Sequence, residues 1–182
     1  MIIAAFDVHY MEDGRARAAS VLFRDYRDAD PAAEYTLRLR SAARYIPGQF
    51  YRRELPCILA LIERFKIGPD EMIVDGYVML GDRPGLGQHL FELFRGKIPV
   101  IGVAKSPFKG ASATEVFRGR SGRPLYITSA GIYPGTAAER VLGMHGAHRV
   151  PALLKRVDLL ARAGPDRPRC TVSEDFYRDH HS

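Results

Sequence analysis

The pattern of apolar and polar positions divides the chain into a strand-rich first part and a second part in which helices and strands alternate. Residues 2–8 are almost wholly apolar, 18–26 form a second apolar run, and 34–41 alternate between apolar and polar. A period of two is typical of a strand with one face toward water. With a turn at Asp13-Gly14, these runs predict a three-stranded antiparallel meander.

Beyond the meander, apolar residues recur at helical spacing and short apolar runs separate the helices. The pattern predicts helices over 51–66, 86–95, 135–144 and 150–163, and strands over 71–75, 98–104 and 124–129. Pro56 fits the first turn of its helix, where a missing N–H costs nothing. We therefore expect an α/β fold: a mixed sheet of three antiparallel strands followed by alternating helices and parallel strands, with helices on both faces. Residues 1–164 should form the domain and 165–182 a polar, flexible tail.

Composition excludes several classes of protein. The 182 residues are 46% hydrophobic and 26% charged, which is the balance of one globular domain. The two cysteines, Cys57 and Cys170, are far apart, which argues against a disulfide scaffold and a cysteine-based zinc site. No apolar run is long enough to span a membrane, and the N-terminus lacks the features of a signal peptide. We expect a cytoplasmic monomer that does not associate with membranes.

The charge indicates an anionic partner, nucleic acid first. The chain has 27 Lys and Arg against 21 Asp and Glu, a formal net charge of +6. Residues 35–53 contain five arginines and no acid, and residues 95–123 contain seven basic residues and one acid. Such concentration suits the neutralisation of phosphates, although a solvated charged surface would give the same pattern.

Three carboxylates lie where a charge is normally avoided. Asp7 is inside the first strand, Asp75 closes the strand over 71–75, and Glu54 opens the first helix. A half-buried carboxylate must be paired or bind a metal, and converging carboxylates suit Mg²⁺ or Mn²⁺ in phosphodiester hydrolysis. Asp75-Gly76 could instead be a simple turn, and Glu54 could serve the helix dipole. Lys105 ends the strand over 98–104 and could contact the scissile phosphate, or simply face solvent.

The ordered set of motifs resembles the endonuclease V family over residues 2–163. The segments that carry the resemblance are FDVHY (6–10), YIPG (45–48), RE (53–54), VDG (74–76), GLGQH (85–89) and IGVAKS (101–106). The resemblance implies a ribonuclease H-like fold and a Mg²⁺- or Mn²⁺-dependent endonuclease that cuts DNA or RNA near a deaminated base, chiefly inosine. It also implies a divergent member that lacks the family's N-terminal helix.

The resemblance assigns roles to individual positions. Asp7, Asp75 and Glu54 would form the metal site, Asp158 on the last helix would be its fourth member, and Lys105 would contact the phosphate. The remaining positions would bind nucleic acid or support the metal site. The nucleic-acid set is Arg44, Tyr45, Ile46, Pro47, Gly48, Arg52, Arg53 and Gly76, in which Tyr45–Gly48 would form a wedge beside the lesion. The supporting set is His9 and His89, and His89 could equally be a core residue.

The sequence departs from the family's pattern near the expected base pocket. Tyr77 and Val78 follow VDG where the family has His-Gly, and Ile132 stands where a histidine is expected. The preferred base, and the choice between DNA and RNA, therefore stay open. Two alternatives remain: a relative that cuts a different nucleic-acid substrate, and a nucleic-acid-binding module with little or no turnover.

Overall fold

The fold is a single large sheet flanked by helices, with strand β1 near its middle. In the computed structural model, which describes residues 1–39, 51–163, 169–173 and 176, the sheet has eight strands in the order β10-β3-β2-β1-β4-β7-β9-β8. The strands are β1 (Ile3–Tyr10), β2 (Ala16–Phe23), β3 (Ala33–Leu39), β4 (Glu71–Asp75), β7 (Val100–Ala104), β8 (Thr114–Val116), β9 (Leu125–Ala130) and β10 (Arg169–Val172), and β5 (Met79–Leu80) with β6 (Arg83–Pro84) forms a separate hairpin. The helices are α1 (Tyr51–Ile62), α2 (Leu86–Leu93), α3 (Pro134–Gly143) and α4 (Ala152–Ala163).

Two hydrophobic clusters cover the two faces of the sheet. Ala4 and Phe6 of β1 belong to the cluster that α1 and α2 cover. Ile3 and Ala5 belong to the cluster that α3 and α4 cover. Because side chains alternate along a strand, odd-numbered positions of β1 face α4 and even-numbered positions face α1. The mixed sheet with helices on both faces is as predicted.

The direction of one strand differs from the prediction. β1, β4 and β7 are mutually parallel, whereas β9, which we expected to continue the parallel series, is antiparallel to β7. The link from β7 to β9 contains the edge strand β8 and no helix, so the chain returns along the sheet without a crossover helix. Hydrophobic periodicity carries no information about strand direction.

Two other expectations need correction. The segment expected to be a flexible tail contributes β10, which pairs with β3, and Phe176, which is 1% exposed in the first cluster. The apolar side chains of Val172 and Phe176 give this short segment enough burial to join the sheet edge. Pro56 lies inside α1 rather than in its first turn, because the described helix already begins at Tyr51.

No helix in the described part of the chain is both long and apolar enough to cross a lipid bilayer.

Candidate active site

Adjacent parallel strands bring Asp7 and Asp75 together. Phe6 of β1 pairs with Val74 of β4, and the two aspartates are the next residues on each strand. Both occupy odd positions and therefore face α4, the helix that carries Asp158. Carboxylate oxygens of Asp7, Asp75 and Asp158 all lie within 4.8 Å of one another. The structure thus brings together three of the four predicted metal ligands.

Glu54 approaches the same point from the opposite face of the sheet. It lies in the first turn of α1 and lines a cleft together with Asp7, Asp75 and Asp158. Burial, with the charges of Asp7 and Asp75, raises the pKa of Glu54 to about 8. Burial, with the charges of Asp75 and Asp158, raises the pKa of Asp7 to about 6. The negative charges of these four carboxylates repel one another. A bound divalent cation would relieve that repulsion.

Lys105 supplies a positive charge to the cluster. It follows β7, which is parallel to β4, and its odd position places it on the same face as the aspartates. Its Nζ lies 2.8 Å from Oδ2 of Asp75 and 3.9 Å from Oδ1 of Asp158. Burial alone would lower the pKa of Lys105, but the hydrogen bond and charge of Asp75 outweigh it and raise the pKa. The amine is therefore held charged at the predicted position.

A second cation, which the sequence analysis missed, lies on α4. Arg162 is one turn beyond Asp158, donates from Nε to Oδ1 of Asp158 at 3.0 Å, and lines the carboxylate cleft. Its own carbonyl accepts a hydrogen bond from Arg17 of β2 at 2.9 Å, which ties the end of the helix to the sheet. The signal was the spacing of four between Asp158 and Arg162, which places both on one helix face.

A smaller cleft opens beside Glu54 on the other side of Asp75. Its volume is about 210 Å³, and its lining includes Tyr51, Gly76, Tyr77 and Leu80. Gly76 adopts φ +117°, a conformation that favours glycine, where the chain leaves β4. This lining places the predicted nucleic-acid residue Gly76 at the boundary between the two clefts.

The two predicted supporting histidines have different surroundings. His9 is two residues beyond Asp7 on the same face of β1 and lines the carboxylate cleft. His89 on α2 stacks on the ring of Tyr51, with 3.8 Å between ring centroids, and its buried Nε2 has no hydrogen-bond partner among the described residues. His89 therefore supports the wall of the smaller cleft through Tyr51.

The predicted nucleic-acid residues are only partly within the described structure. Arg52 is exposed at the start of α1, and the guanidinium of Arg53 lies 3.9 Å from the ring centroid of Tyr10. The wedge residues Tyr45–Gly48 and the flanking Arg44 lie outside the described residues. In the basic segment 95–123, Arg118 is buried, at 5% exposure, and donates to backbone carbonyls. At least one charge of that segment is therefore structural.

The fold and the site define a class of protein. Carboxylates at the ends of adjacent parallel strands, joined by one on each of two flanking helices and faced by a lysine, are suited to binding a divalent cation and a phosphate together. The described residues thus have the chemistry of a metal-dependent hydrolase of phosphate esters.

Comparisons with known proteins make the assignment specific. The family model for endonuclease V matches residues 1–141. Endonuclease V of Streptomyces coelicolor is 31% identical over 183 aligned positions that cover 88% of this chain and 78% of the relative. Endonuclease V of Nostoc punctiforme is 28% identical and covers 88% of this chain and 82% of its own length.

Solved structures of endonuclease V proteins have a fold similar to that of this chain. The crystal structure of endonuclease V from Streptomyces avermitilis has a TM-score of 0.74 and 26% identity, covering 89% of this chain and 80% of that one. Endonuclease V of Ciona intestinalis, solved with a 24mer DNA containing an inosine followed by a ribo-adenosine, has a TM-score of 0.73 and 19% identity over 88% and 84%.

The chain belongs to the endonuclease V family. It is therefore an endonuclease, a hydrolase of nucleic-acid phosphodiesters, in a family whose members need a metal ion. The family, the fold class and the enzyme class predicted from the sequence are confirmed.

Proposed function

We propose that this endonuclease uses Mg²⁺ or Mn²⁺ to hydrolyse a phosphodiester near a deaminated base, inosine, in DNA or RNA. The observation that carries the proposal is the convergence of Asp7, Asp75 and Asp158 within 4.8 Å, with the Lys105 amine on Asp75. Oxygen ligands of this kind select hard divalent cations such as Mg²⁺ and Mn²⁺. The inosine-containing DNA bound to the Ciona intestinalis relative supports the choice of base.

Four carboxylates would hold the metal ion or orient its surroundings. Asp7, Asp75 and Asp158 would supply the ligand oxygens, and Glu54, which lines the same cleft from α1, would complete the site or position the attacking water. When bound, the divalent ion supplies Lewis-acid stabilisation of the charge that develops on the phosphate oxygens.

The two cations of the site would contact the nucleic-acid backbone. Lys105 is held charged beside two carboxylates, and its Nζ would donate to a phosphate oxygen of the substrate. A fixed donor beside the developing charge stabilises the transition state more than the ground state. Arg162, on the rim of the same cleft, would hold a neighbouring phosphate.

The smaller cleft beside Glu54 would take the exposed base. Its lining includes the aromatic residues Tyr51 and Tyr77, together with Gly76. Aromatic walls and backbone polar groups are what a flipped base needs for stacking and hydrogen bonding. The wedge at Tyr45–Gly48 and the arginines Arg44, Arg52 and Arg53 would hold the strand open.

A panel of cleavage substrates tests the proposal. We expect the protein with Mg²⁺ or Mn²⁺ to nick inosine-containing DNA or RNA one nucleotide 3′ of the lesion. Neither the chelated protein nor Asp7→Ala should do so. Cleavage that persists in Asp7→Ala, or no cleavage of any inosine substrate, would contradict it.

A second candidate is a nuclease of the same family with a different preferred substrate. Tyr77, which stands where the family has histidine, lines the smaller cleft and so favours an altered base preference. Including uracil, abasic, flap and single-stranded RNA substrates in the panel separates the two candidates, because only the second predicts a substrate that is cut faster than inosine. If no substrate is cut and calorimetric titration detects no Mn²⁺ binding, the remaining alternative, a nucleic-acid-binding module with little or no turnover, is favoured.

We further propose that the protein acts as a monomer in the cytoplasm. The extensive burial within one sheet and its two helical layers supports a folded unit that needs no partner copy. Sedimentation at micromolar concentration tests the oligomeric state, and a species of about twice 20 kDa would contradict it.

A further inference from the structure

Two consecutive backbone carbonyls beyond strand β7 are each held by a side chain from a different part of the fold. The hydroxyl of Tyr77 donates to the carbonyl oxygen of Ser106 at 2.8 Å. Nη2 of Arg149 donates to the carbonyl oxygen of Lys105 and, at 2.6 Å, to that of Pro124. The peptide that follows the site lysine is therefore fixed from two sides.

The path of the chain after β4 places Tyr77 at this point. Beyond Asp75 the backbone crosses over β7 at Gly102, where an added Cβ would lie only 2.6 Å from the carbonyl oxygen of Gly76. This close crossing carries Tyr77 past β7 to the segment after Lys105. There its ring, 9% exposed, also contacts the ring of Phe108, with 6.0 Å between centroids.

Arg149 belongs to a segment that is held by the buried side chain of Arg118. It belongs to the link between α3 and α4, and the carbonyls of that link accept hydrogen bonds from Arg118. The acceptors in the link are the carbonyls of Met144, Gly146, His148 and Arg149 itself, and the carbonyl of Leu142 near the end of α3 accepts a further bond. Because a fixed guanidinium loses little freedom on binding, Arg149 is a rigid support for the Lys105 carbonyl.

We propose that Tyr77 and Arg149 are positioning residues that hold Lys105 over the carboxylate cluster. Lys105 is the first residue after β7, and the sheet alone does not restrain the segment that follows it. Fixing the carbonyls of residues 105 and 106 leaves only the side chain to be ordered, which lowers the entropy cost of keeping Nζ on Asp75 and on a phosphate. The catalytic part of this inference rests on the proposed role of Lys105.

Tyr77→Phe is the sharpest test because it removes the hydroxyl and keeps the ring beside Phe108. Tyr133→Phe is the matched control, because Tyr133 is 76% exposed at the start of α3. It follows the end of β9 that pairs with Val100, whereas the other end of β9 pairs with Ala104 beside Lys105. We expect the amides of Ser106, Phe108 and Lys109 to exchange hydrogen about three- to tenfold faster in Tyr77→Phe and at the wild-type rate in the control. Unchanged exchange would overturn the inference whether or not the protein cuts inosine.

A double-mutant cycle with Lys105→Ala tests the link to catalysis. With Lys105 present, Tyr77→Phe should lower the single-turnover cleavage rate at saturating protein about three- to tenfold. In the Lys105→Ala background it should have no further effect. An equal loss in both backgrounds would show that Tyr77 does not act through Lys105.

Arg149→Lys provides a second variant that keeps the charge but cannot bridge two carbonyls in the same way. It should lower the cleavage rate, raise the exchange of amide 106 and leave Mn²⁺ affinity unchanged. Loss of Mn²⁺ binding in step with cleavage would overturn the positioning role. If wild type itself cuts no substrate, the proposed function fails, and the exchange measurements alone decide whether the segment is held.

Discussion

The ammonium group of Lys105 lies 2.8 Å from Oδ2 of Asp75 and 3.9 Å from Oδ1 of Asp158, against two of the three carboxylates that could bind a metal ion. The cluster therefore has a cation of its own. In this position Lys105 offsets part of the negative charge of the carboxylates, and in the function we propose it would bind a phosphate oxygen.

Replacing Lys105 by methionine should separate cleavage from metal binding. Loss of the donor should lower the cleavage rate by about 10²–10³-fold, the usual effect of removing one transition-state donor. Removing a cation from the cluster should leave Mn²⁺ affinity equal or higher. Lys97→Met, at an exposed position before β7, is the control and should cut normally. Single-turnover kinetics and calorimetric Mn²⁺ titration measure both effects, and weaker Mn²⁺ binding in Lys105→Met would contradict this assignment.

The metal-free protein should lose stability as the pH rises. The folded-state pKa of Glu54 is raised from 4.5 to about 8 and that of Asp7 from 3.8 to about 6, chiefly by burial. A raised carboxyl pKa means that the folded state binds the proton more tightly than the unfolded state. The stabilisation is thus complete below the unfolded pKa and is lost as the pH rises through the folded one.

Urea denaturation between pH 5 and 8.5, in the presence of a metal chelator, measures this loss of stability. We expect the free energy of unfolding to fall across that range, and saturating Mn²⁺ to reverse the fall because metal binds the deprotonated carboxylates. Glu54→Gln should abolish the decrease in the free energy of unfolding above about pH 6.5. The decrease below that pH should remain, because it comes from the raised pKa of Asp7. A stability that rises from pH 5 to 8.5 in the metal-free protein would show that the cluster is not a source of repulsion.

Arg52 should contribute to nucleic-acid affinity through the phosphate backbone. It is exposed at the start of α1, close to Tyr51 of the smaller cleft. Arg52→Ala should reduce the slope of log affinity against log salt by about one and leave Mn²⁺ binding unchanged. Arg44→Ala, outside the described residues, should behave in the same way, and Arg64→Ala beyond the end of α1 is the control. If Arg52→Ala weakens metal binding and nucleic-acid binding equally, the substitution perturbs the folded structure and Arg52 is not a phosphate contact.

The chain beyond α4 should contribute to stability. Phe176 is 1% exposed and packs in the cluster under α1, so Phe176→Ala should lower the free energy of unfolding by about 3–5 kcal/mol. Leu159→Ala, at a 48% exposed position of α4, should change it by less than about 1 kcal/mol. If Phe176→Ala and the wild type are equally stable in urea, the segment beyond α4 does not pack on the domain, as expected from the sequence.

Local sequence patterns predicted Asp7 and Asp75 as site residues because each stands inside or at the end of an apolar strand, where a charge is normally avoided. An acid within β1 and another at the end of β4 face the same way once the two strands are adjacent and parallel. Asp158 needed the family resemblance, since an acid on an amphipathic helix is ordinarily a solvent-facing residue.

The contacts that hold Lys105 depend on packing between distant segments. The hydrogen bonds from Tyr77 and Arg149 arise from a crossing over Gly102 and from the buried Arg118, which no local pattern contains. The direction of β9 and the pairing of β10 are equally non-local, because hydrophobic periodicity specifies neither strand direction nor partner.

The most direct test of the central claim is the anomalous scattering of Mn²⁺ in crystals of the protein. The account predicts one or more strong peaks bounded by carboxylate oxygens of Asp7, Asp75 and Asp158, with Glu54 facing them from α1, and no peak there in Asp75→Asn. A manganese ion bound only elsewhere on the molecule, or a peak at this place that persists in Asp75→Asn with full occupancy, would contradict it.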